Sequence, residues 1–531
     1  MKLKPALYGS LAALVLQCGC GGSDAPVVVA PVAPPVAPPV EPPVTPPVEP
    51  PVIPPVTPPV TPPVTPPVTP PVTDKPDWLT LGDHCEHPRL GNKPSGLPYF
   101  EVQGTLTDEM RWLRSYLDDS YLWYDEIPTN LKMSDYRNTL DYFAALKTPV
   151  ITPSGRPKDR FHFTYPSAVW EAMSTTGAEL SYGLTWARYT DTSVPRVWVA
   201  TMVEPGSPAD VGGVRRGDLL VSVDGVAITD TSASGTAKIN AGLFPATAGE
   251  IHRLVLSRDG ASLVASIKSA KLVRTSVQNV NVFDTATGKV GYVQFNEHNS
   301  ASESLLVNAI DTFKAANVSD LILDMRYNGG GSLGIASELA YMIAGPAATA
   351  GKVFEQSIYN NKTKAHAPQM FSSTAVGYVA NGPVKPGAPL PYLGLKRVTV
   401  LTTAGTCSAS ESVINSLRGI DVEVNLIGGE TCGKPYAFQP GANCGTTYFA
   451  IQFRGVNNKN FGDYADGFAP TCRVADDLRH ALGDPEEGLL SAALNYRGSG
   501  VCPVTPQDGR AKAGAMQLVR PLVKEISIRD R

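Results

Sequence analysis

From Lys289 onward, strand and helix patterns alternate in a way that leaves few folds open. Val290 to Phe295 is a short apolar run, a helical pattern with Leu305, Leu306, Ala309, Ile310 and Phe313 on one face follows, and Leu321 to Met325 is a second apolar run. Arg397 to Thr403 (RVTVLTT) and Val424 to Ile427 (VNLI) repeat the theme around a helical pattern carrying Val413, Ile414 and Leu417. Such alternation implies right-handed crossovers and a largely parallel sheet, with reactive groups on loops at the strand ends. A last helical pattern is expected over Asp476 to Tyr496, and the tail beyond Gly500 is expected to be loosely attached.

Two side chains stand at those strand ends. Ser408 follows the turn Ala404 to Cys407, near a helix N-terminus where backbone N–H groups and the helix dipole favour negative charge developing on a carbonyl oxygen. Lys434 leaves the next strand through G-G-E-T-C-G-K-P. A serine hydroxyl is a weak nucleophile until a neighbour takes its proton, and a lysine of ordinary pKa, about 10.4, is protonated at neutral pH. Unless it is a solvated surface residue, Lys434 must be desolvated, and the apolar strand before it with Pro435, Tyr436 and Phe438 after it offers the walls. No histidine is then required. Ser332 is a rival, because Gly330-Gly331-Ser332-Leu333-Gly334 fits the G-x-S-x-G elbow. The elbow needs acid and histidine partners with no clear downstream signature, and the other reading is a turn capping the helix of Ile335, Leu339 and Met342.

The segments G-T-C-S-A-S-E and G-G-E-T-C-G-K-P resemble those of the S41 peptidases, the C-terminal processing protease family. The resemblance implies Ser408 as nucleophile, Lys434 as general base, and Glu411, three positions after the serine, as an acidic partner. The lysine lies one residue further from the serine than in some members. Leu321 to Met325 followed by R-Y-N-G-G-G (Arg326 to Gly331) resembles the family's oxyanion turn. By that likeness, the N–H groups of Ala409 and of either Gly329 or Gly330 hold the oxyanion. The fold implied is α/β, a crotonase-like or ClpP-like βα core, joined to a mostly β PDZ domain and an N-terminal helical region. No cofactor and no metal are implied.

Before the core, Thr107 to Ile127 opens on an acidic first turn and spaces Met110, Leu113, Leu117, Tyr121 and Leu122 as a helix does. With Leu140 to Leu146 and D-R-F-H-F-T at Asp159 to Thr164, it resembles the N-terminal region of many S41 members, its aromatics read as core. Between Ala178 and Leu272 short strands alternate with turns. E-P-G-S-P-A-D-V-G-G-V-R-R-G-D-L-L-V-S-V-D-G-V, with a helix at Pro208 to Val211, resembles a PDZ domain. Such domains take an extended peptide as an added strand. The likeness makes Tyr182, Gly183 and Leu184 the carboxylate loop, with Y-G-L-T approximating G-L-G-F; the other reading is a structural lid.

The first 20 residues carry Lys2 and Lys4, a short apolar stretch and Q-C-G-C, which reads as a secretory signal too short to span a membrane. Its end resembles a lipobox with Cys20 lipidated and Cys18 as rival, although Leu16 stands four residues before Cys20 where three is usual. Simple secretion is the alternative. Glycine rather than aspartate after the cysteine resembles lipoproteins of the outer membrane, facing periplasm or surface. The P-P-V and P-P-V-T repeats that follow cannot bury a core. They impose polyproline II geometry, a stalk of about 140 Å at most.

The organisation expected is signal 1–20, stalk 21–75, N-terminal helical region 76–177, PDZ domain 178–272, catalytic domain 273–500 and tail 501–531. A net charge of −4 with 18% charged residues and no basic cluster excludes a nucleic-acid surface. Six cysteines remain after the signal, an even number that in an exported chain favours disulfides with 15 connectivities open. A Cys407 to Cys432 bridge would staple the two turns, and Cys444 could pair with either. His84, Cys85 and His87 could suggest a metal, yet no second pair completes a tetrahedral site. The function expected is a lipid-anchored serine endopeptidase acting on polypeptides with unstructured C-terminal regions. The alternatives are a binding or scaffold protein on the same fold and a regulator whose PDZ domain recruits a partner.

Overall fold

Six strands run side by side in chain order at the centre of the molecule: Val277–Thr285, Gly288–Phe295, Asp320–Asp324, Arg397–Thr402, Glu423–Gly428 and Cys472–Arg473. The first pair is antiparallel and every later pair is parallel. The computed structural model describes residues 78–93, 96–176, 178–189, 196–504, 516–519 and 527–528; the signal with Cys18 and Cys20 and the proline-rich stretch lie outside them.

The apolar strand runs have a simple cause, burial on both faces of the sheet. Val293, Phe295, Leu321, Leu323, Val398, Val400, Val424 and Leu426 share one core with helices Ser302–Ala315, Leu333–Thr349 and Ala409–Gly419. The alternate residues Val290, Tyr292, Ile322, Leu401 and Ile427 pack on the other face beneath helix Gly488–Ser499. Each fully buried side chain of this kind contributes about 1.5 to 3 kcal/mol. The α/β core expected from the alternation is therefore present, with helices on both faces.

That last helix is shorter than the expected Asp476 to Tyr496. Pro485 interrupts the pattern, Asp476 and Asp477 accept hydrogen bonds from Arg216 and His480, and the helix starts only after Glu487, whose side chain accepts from the Leu490 N–H. The N-terminal helix also differs from its expected span, running Leu106–Ser120 rather than 107 to 127. Thr105 is its N-cap, in a reciprocal capping box with Asp108. Trp112, Tyr116, Phe143, Tyr165 and Tyr448 join in one aromatic core, as expected of those rings.

A second, antiparallel sheet spans the expected PDZ region in the order Ala261–Lys268, Ile251–Arg258, Leu219–Val223, Trp198–Val203, Leu184–Tyr189. Helix Pro208–Val211 falls where expected, capped by Ser207. Of the expected tail, the described residues are held at three places. Cys502 is bonded to Cys472, Met516–Val519 extends the second sheet at Leu184–Tyr189, and Ser527–Ile528 pairs with Gly331–Ser332. A sequence window of five residues cannot reveal a strand whose partner edge lies more than 300 positions away. Among the described residues no helix is long and apolar enough to cross a membrane.

Candidate active site

Strand Arg397–Thr402 ends at a turn that forces Ser408 into an unusual backbone conformation, φ 63° and ψ −116°, immediately before helix Ala409–Gly419. A residue with a Cβ reaches this region only at a cost, and such strain gathers where a side chain must be held in one direction. Ser408 is fully buried and its Oγ has no hydrogen-bond partner among the described residues. The turn is pinned from behind. The Asn328 carbonyl accepts the Cys407 N–H at 3.0 Å and the Ser410 hydroxyl at 3.1 Å.

Glu411, one turn into the helix, ties this serine to the lysine loop. Its Oε2 accepts the N–H of Ser408 at 2.9 Å and of Lys434 at 2.8 Å, while Oε1 accepts the Gly433 N–H at 2.8 Å and the Thr431 hydroxyl. One carboxylate oxygen thus bridges the backbones of the two expected partners. Burial pushes the Glu411 pKa up, against the hydrogen bonds that favour its charged form. The Cys407–Cys432 disulfide, one of the open pairings, fastens the same two turns.

The Lys434 side chain is 1% exposed. Its Nζ lies 4.4 Å from the centre of the Phe438 ring and 5.1 Å from that of Phe161. Phe438 is one of the expected walls. Phe161, which reaches the lysine from the N-terminal region, is a further wall that no local sequence pattern announces. Its neighbour Arg160 donates to the carbonyls of Cys432 at 2.7 Å, Gly433 at 3.2 Å and Ala465 at 3.1 Å, clamping the loop that presents the lysine. Gly433 must be glycine here, with φ 82° and a Cβ that would stand 2.3 Å from the Ala465 carbonyl oxygen.

The glycine turn lies after the adjacent strand. Asn328, fully buried, donates to the Phe295 carbonyl at 3.0 Å, and its Oδ1 accepts the Gly330 N–H at 3.0 Å. The Gly330 amide is therefore engaged inside the turn. The amides of Gly329 and of Ala409, at the first position of its helix, have no protein acceptor among the described residues. His298 braces the turn from the far side, Nδ1 sitting 3.1 Å from Asn328 Oδ1. Burial pushes its pKa down to about 3, so the ring is neutral at pH 7. Ser332 is a relaxed helix cap, φ −67°, whose Oγ accepts the Ile335 N–H at 3.2 Å.

Arg326, at the start of the glycine turn, is also deeply buried. Burial works against its charge, but Asp324, Glu487 and Asp476 offset this and hold its pKa well above the usual value. Arg216 of the second sheet joins the same cluster through Asp476 at 2.7 Å and the Tyr327 hydroxyl at 2.6 Å, a polar link between that sheet and the glycine turn. Sequence spacing gave no sign of these contacts.

Tyr182, Gly183 and Leu184 form the turn into the edge strand, all buried. The Tyr182 hydroxyl donates to the Gly242 carbonyl at 3.1 Å, and the Gly183 N–H donates to Ser181 Oγ at 3.1 Å. Cys85 of the H-C-E-H segment is bonded to Cys444.

Comparison with known proteins finds three family likenesses along the chain. Residues 289–444 match peptidase family S41, 199–235 a PDZ domain, and 108–164 the peptidase S41 N-terminal domain. A carboxyl-terminal-processing protease from Synechocystis is 23% identical over 65% of this chain and 74% of its own length. For the chloroplastic carboxyl-terminal-processing peptidase 2 of Arabidopsis thaliana the identity is 26%, over 48% of each chain, so this chain spans about half of that relative. A solved structure described as an S41 protease from Bacteroides fragilis superposes with a TM-score of 0.57 at 25% identity, over 73% of this chain and 97% of the other.

Proposed function

We propose that this chain, which carries a peptidase S41 domain and a PDZ domain, is a serine endopeptidase that cuts polypeptides with a Ser408/Lys434 dyad. The observation that carries this is the strained, buried Ser408 with an unpartnered hydroxyl, joined through one Glu411 oxygen to the Lys434 backbone.

Lys434, in its neutral form, takes the Ser408 proton as Oγ attacks the substrate carbonyl carbon. Its burial between the Phe161 and Phe438 rings keeps the amine out of bulk water beside the serine turn. The oxyanion is held by the N–H groups of Ala409 and Gly329, the two free to donate. Lys434 then returns the proton to the leaving amine, and a water molecule hydrolyses the ester by the same route. Glu411 acts as a positioning residue. The PDZ domain recruits unstructured C-terminal regions at the edge of its sheet.

A serine-reactive phosphonate tests the reading: it should label the wild-type chain and neither Ser408→Ala nor Lys434→Ala. Equal absence of labelling in all three would favour a binding protein on the same fold. The proposed location is outside the cytoplasm, anchored through lipid on Cys20 at the outer membrane, with the stalk holding the enzyme off the surface. Incorporation of labelled palmitate that persists in Cys20→Ser would refute the anchor.

A further inference from the structure

Two strand edges of this protein pair with strands from the last residues of the chain. Met516–Val519 lies antiparallel on Leu184–Tyr189, with Met516 opposite Tyr189 and Val519 opposite Trp186. Antiparallel addition to a sheet edge is how a PDZ fold takes an extended peptide, and without the tail Leu184–Tyr189 is the edge of its sheet. The strand runs from Tyr189 toward the Tyr182 to Leu184 turn, the direction of a C-terminal ligand. Further along, Ser527–Ile528 runs parallel to Gly331–Ser332, the end of the glycine turn.

The two faces of the first tail strand divide their contacts, as alternate residues of a strand must. Val519 packs against the core of the second sheet, which includes Ile239 and Leu243 of helix Ala233–Leu243. Leu518 turns toward the nucleophile turn, its Cδ1 2.9 Å from where a Cβ on Gly405 would stand. One short apolar segment therefore touches the recruiting groove and the loop that carries Ser408.

We propose that the strands Met516–Val519 and Ser527–Ile528 act as a tethered peptide ligand of the PDZ edge and the glycine turn, in competition with polypeptide substrates. This rests on the peptidase reading above and specifies the kind of ligand the site takes: an extended segment with adjacent aliphatic residues such as Leu518-Val519, bound mainly through its backbone. Tethering gives the tail an effective concentration in the millimolar range. A free substrate must displace it.

The test compares the full chain with one ending at Thr505, which keeps Cys502. Both carry Ser408→Ala for binding measurements with a fluorescent peptide of residues 510–531. The shortened chain should bind the peptide at least about tenfold more tightly, and Leu518→Asp with Val519→Asp in the full chain should reproduce the gain. With Ser408 restored, either change should lower KM for an unstructured polypeptide and leave kcat within about twofold. Equal affinity of the full and shortened chains, or no binding by either, overturns the proposal. If neither chain cuts any polypeptide while the affinities differ as expected, the peptidase reading fails and the tethered ligand stands. The double variant keeps the test decisive should the shortened chain not fold.

Discussion

Ser332 and Ser408 each follow one of two strands paired in parallel, Asp320–Asp324 and Arg397–Thr402, and only one of them is strained. Each ends a turn and precedes a helix, Leu333–Thr349 or Ala409–Gly419. Ser332 sits at φ −67° with its hydroxyl accepting from Ile335, while Ser408 sits at φ 63° with a buried, unpartnered hydroxyl. A residue held in a sparsely populated conformation costs on the order of 1 to 3 kcal/mol, and an unsatisfied buried polar group a similar amount. The fold carries both costs at Ser408 and neither at Ser332. The G-x-S-x-G pattern here marks a strand-to-helix turn, whereas backbone strain and a bare oxygen single out Ser408, the proposed nucleophile.

The largest expected effect is at Ser408. Ser408→Ala should lower single-turnover peptide cleavage by about 10³ to 10⁶-fold while the thermal midpoint stays level or rises, since an unpartnered buried oxygen is removed. Cleavage by this variant within tenfold of wild type would erase the distinction between the serines. Next comes Lys434, the proposed base. Lys434→Ala and Lys434→Arg should both lose about 10² to 10⁴-fold, because a guanidinium cannot give up its proton. Recovery of activity in Lys434→Arg would mean that only a positive charge is needed there.

Glu411→Gln separates geometry from charge. The carboxylate serves four donors on two oxygens, and a glutamine keeps one oxygen and turns an NH₂ toward two of them. Unfolding should become easier by about 2 to 4 kcal/mol, read from denaturant midpoints at constant slope. A variant as stable as wild type would show that the disulfide Cys407–Cys432 alone fastens the two turns.

How much of this could be read from the chain depends on the range of the contact. Strands such as Leu321 to Met325 and Arg397 to Thr403 were legible because burial on both faces leaves continuous apolar runs. Ser408 and Lys434 were legible through the turns that present them. Phe161 and Arg160 were not, since they reach the lysine loop from more than 270 positions away. Asn328 looked like part of a glycine-rich turn, and its role as the joint between the two turns exists only once the strands are adjacent. The pairing of Met516–Val519 is illegible for the same reason, its partner edge lying at Leu184–Tyr189.

His298 offers a pH test on the glycine-turn side of the comparison. Its pKa falls from an ordinary 6.5 to about 3 in the fold. The unfolded chain therefore binds a proton that the folded chain does not as pH falls below 6.5. Its stabilising contribution is complete above that pH and is lost progressively down to about 3, at up to roughly 1.4 kcal/mol per pH unit. His298→Gln should flatten that slope in thermal midpoints between pH 6.5 and 4. An unchanged slope would mean the ring protonates freely.

The smallest effect, and the one that completes the comparison, belongs to Ser332→Ala. Its hydroxyl satisfies the Ile335 N–H and meets the Tyr378 hydroxyl at 3.2 Å, so removal leaves one helix donor without its cap. Loss of such a cap costs about 1 kcal/mol, a shift of a few degrees at most in a chain of this size. Nothing in the acyl-transfer route passes through that oxygen, so kcat/KM should stay within about twofold. Loss of activity matching Ser408→Ala, with the thermal midpoint unchanged, would instead make the relaxed serine the nucleophile. The strain at Ser408 would then need another explanation.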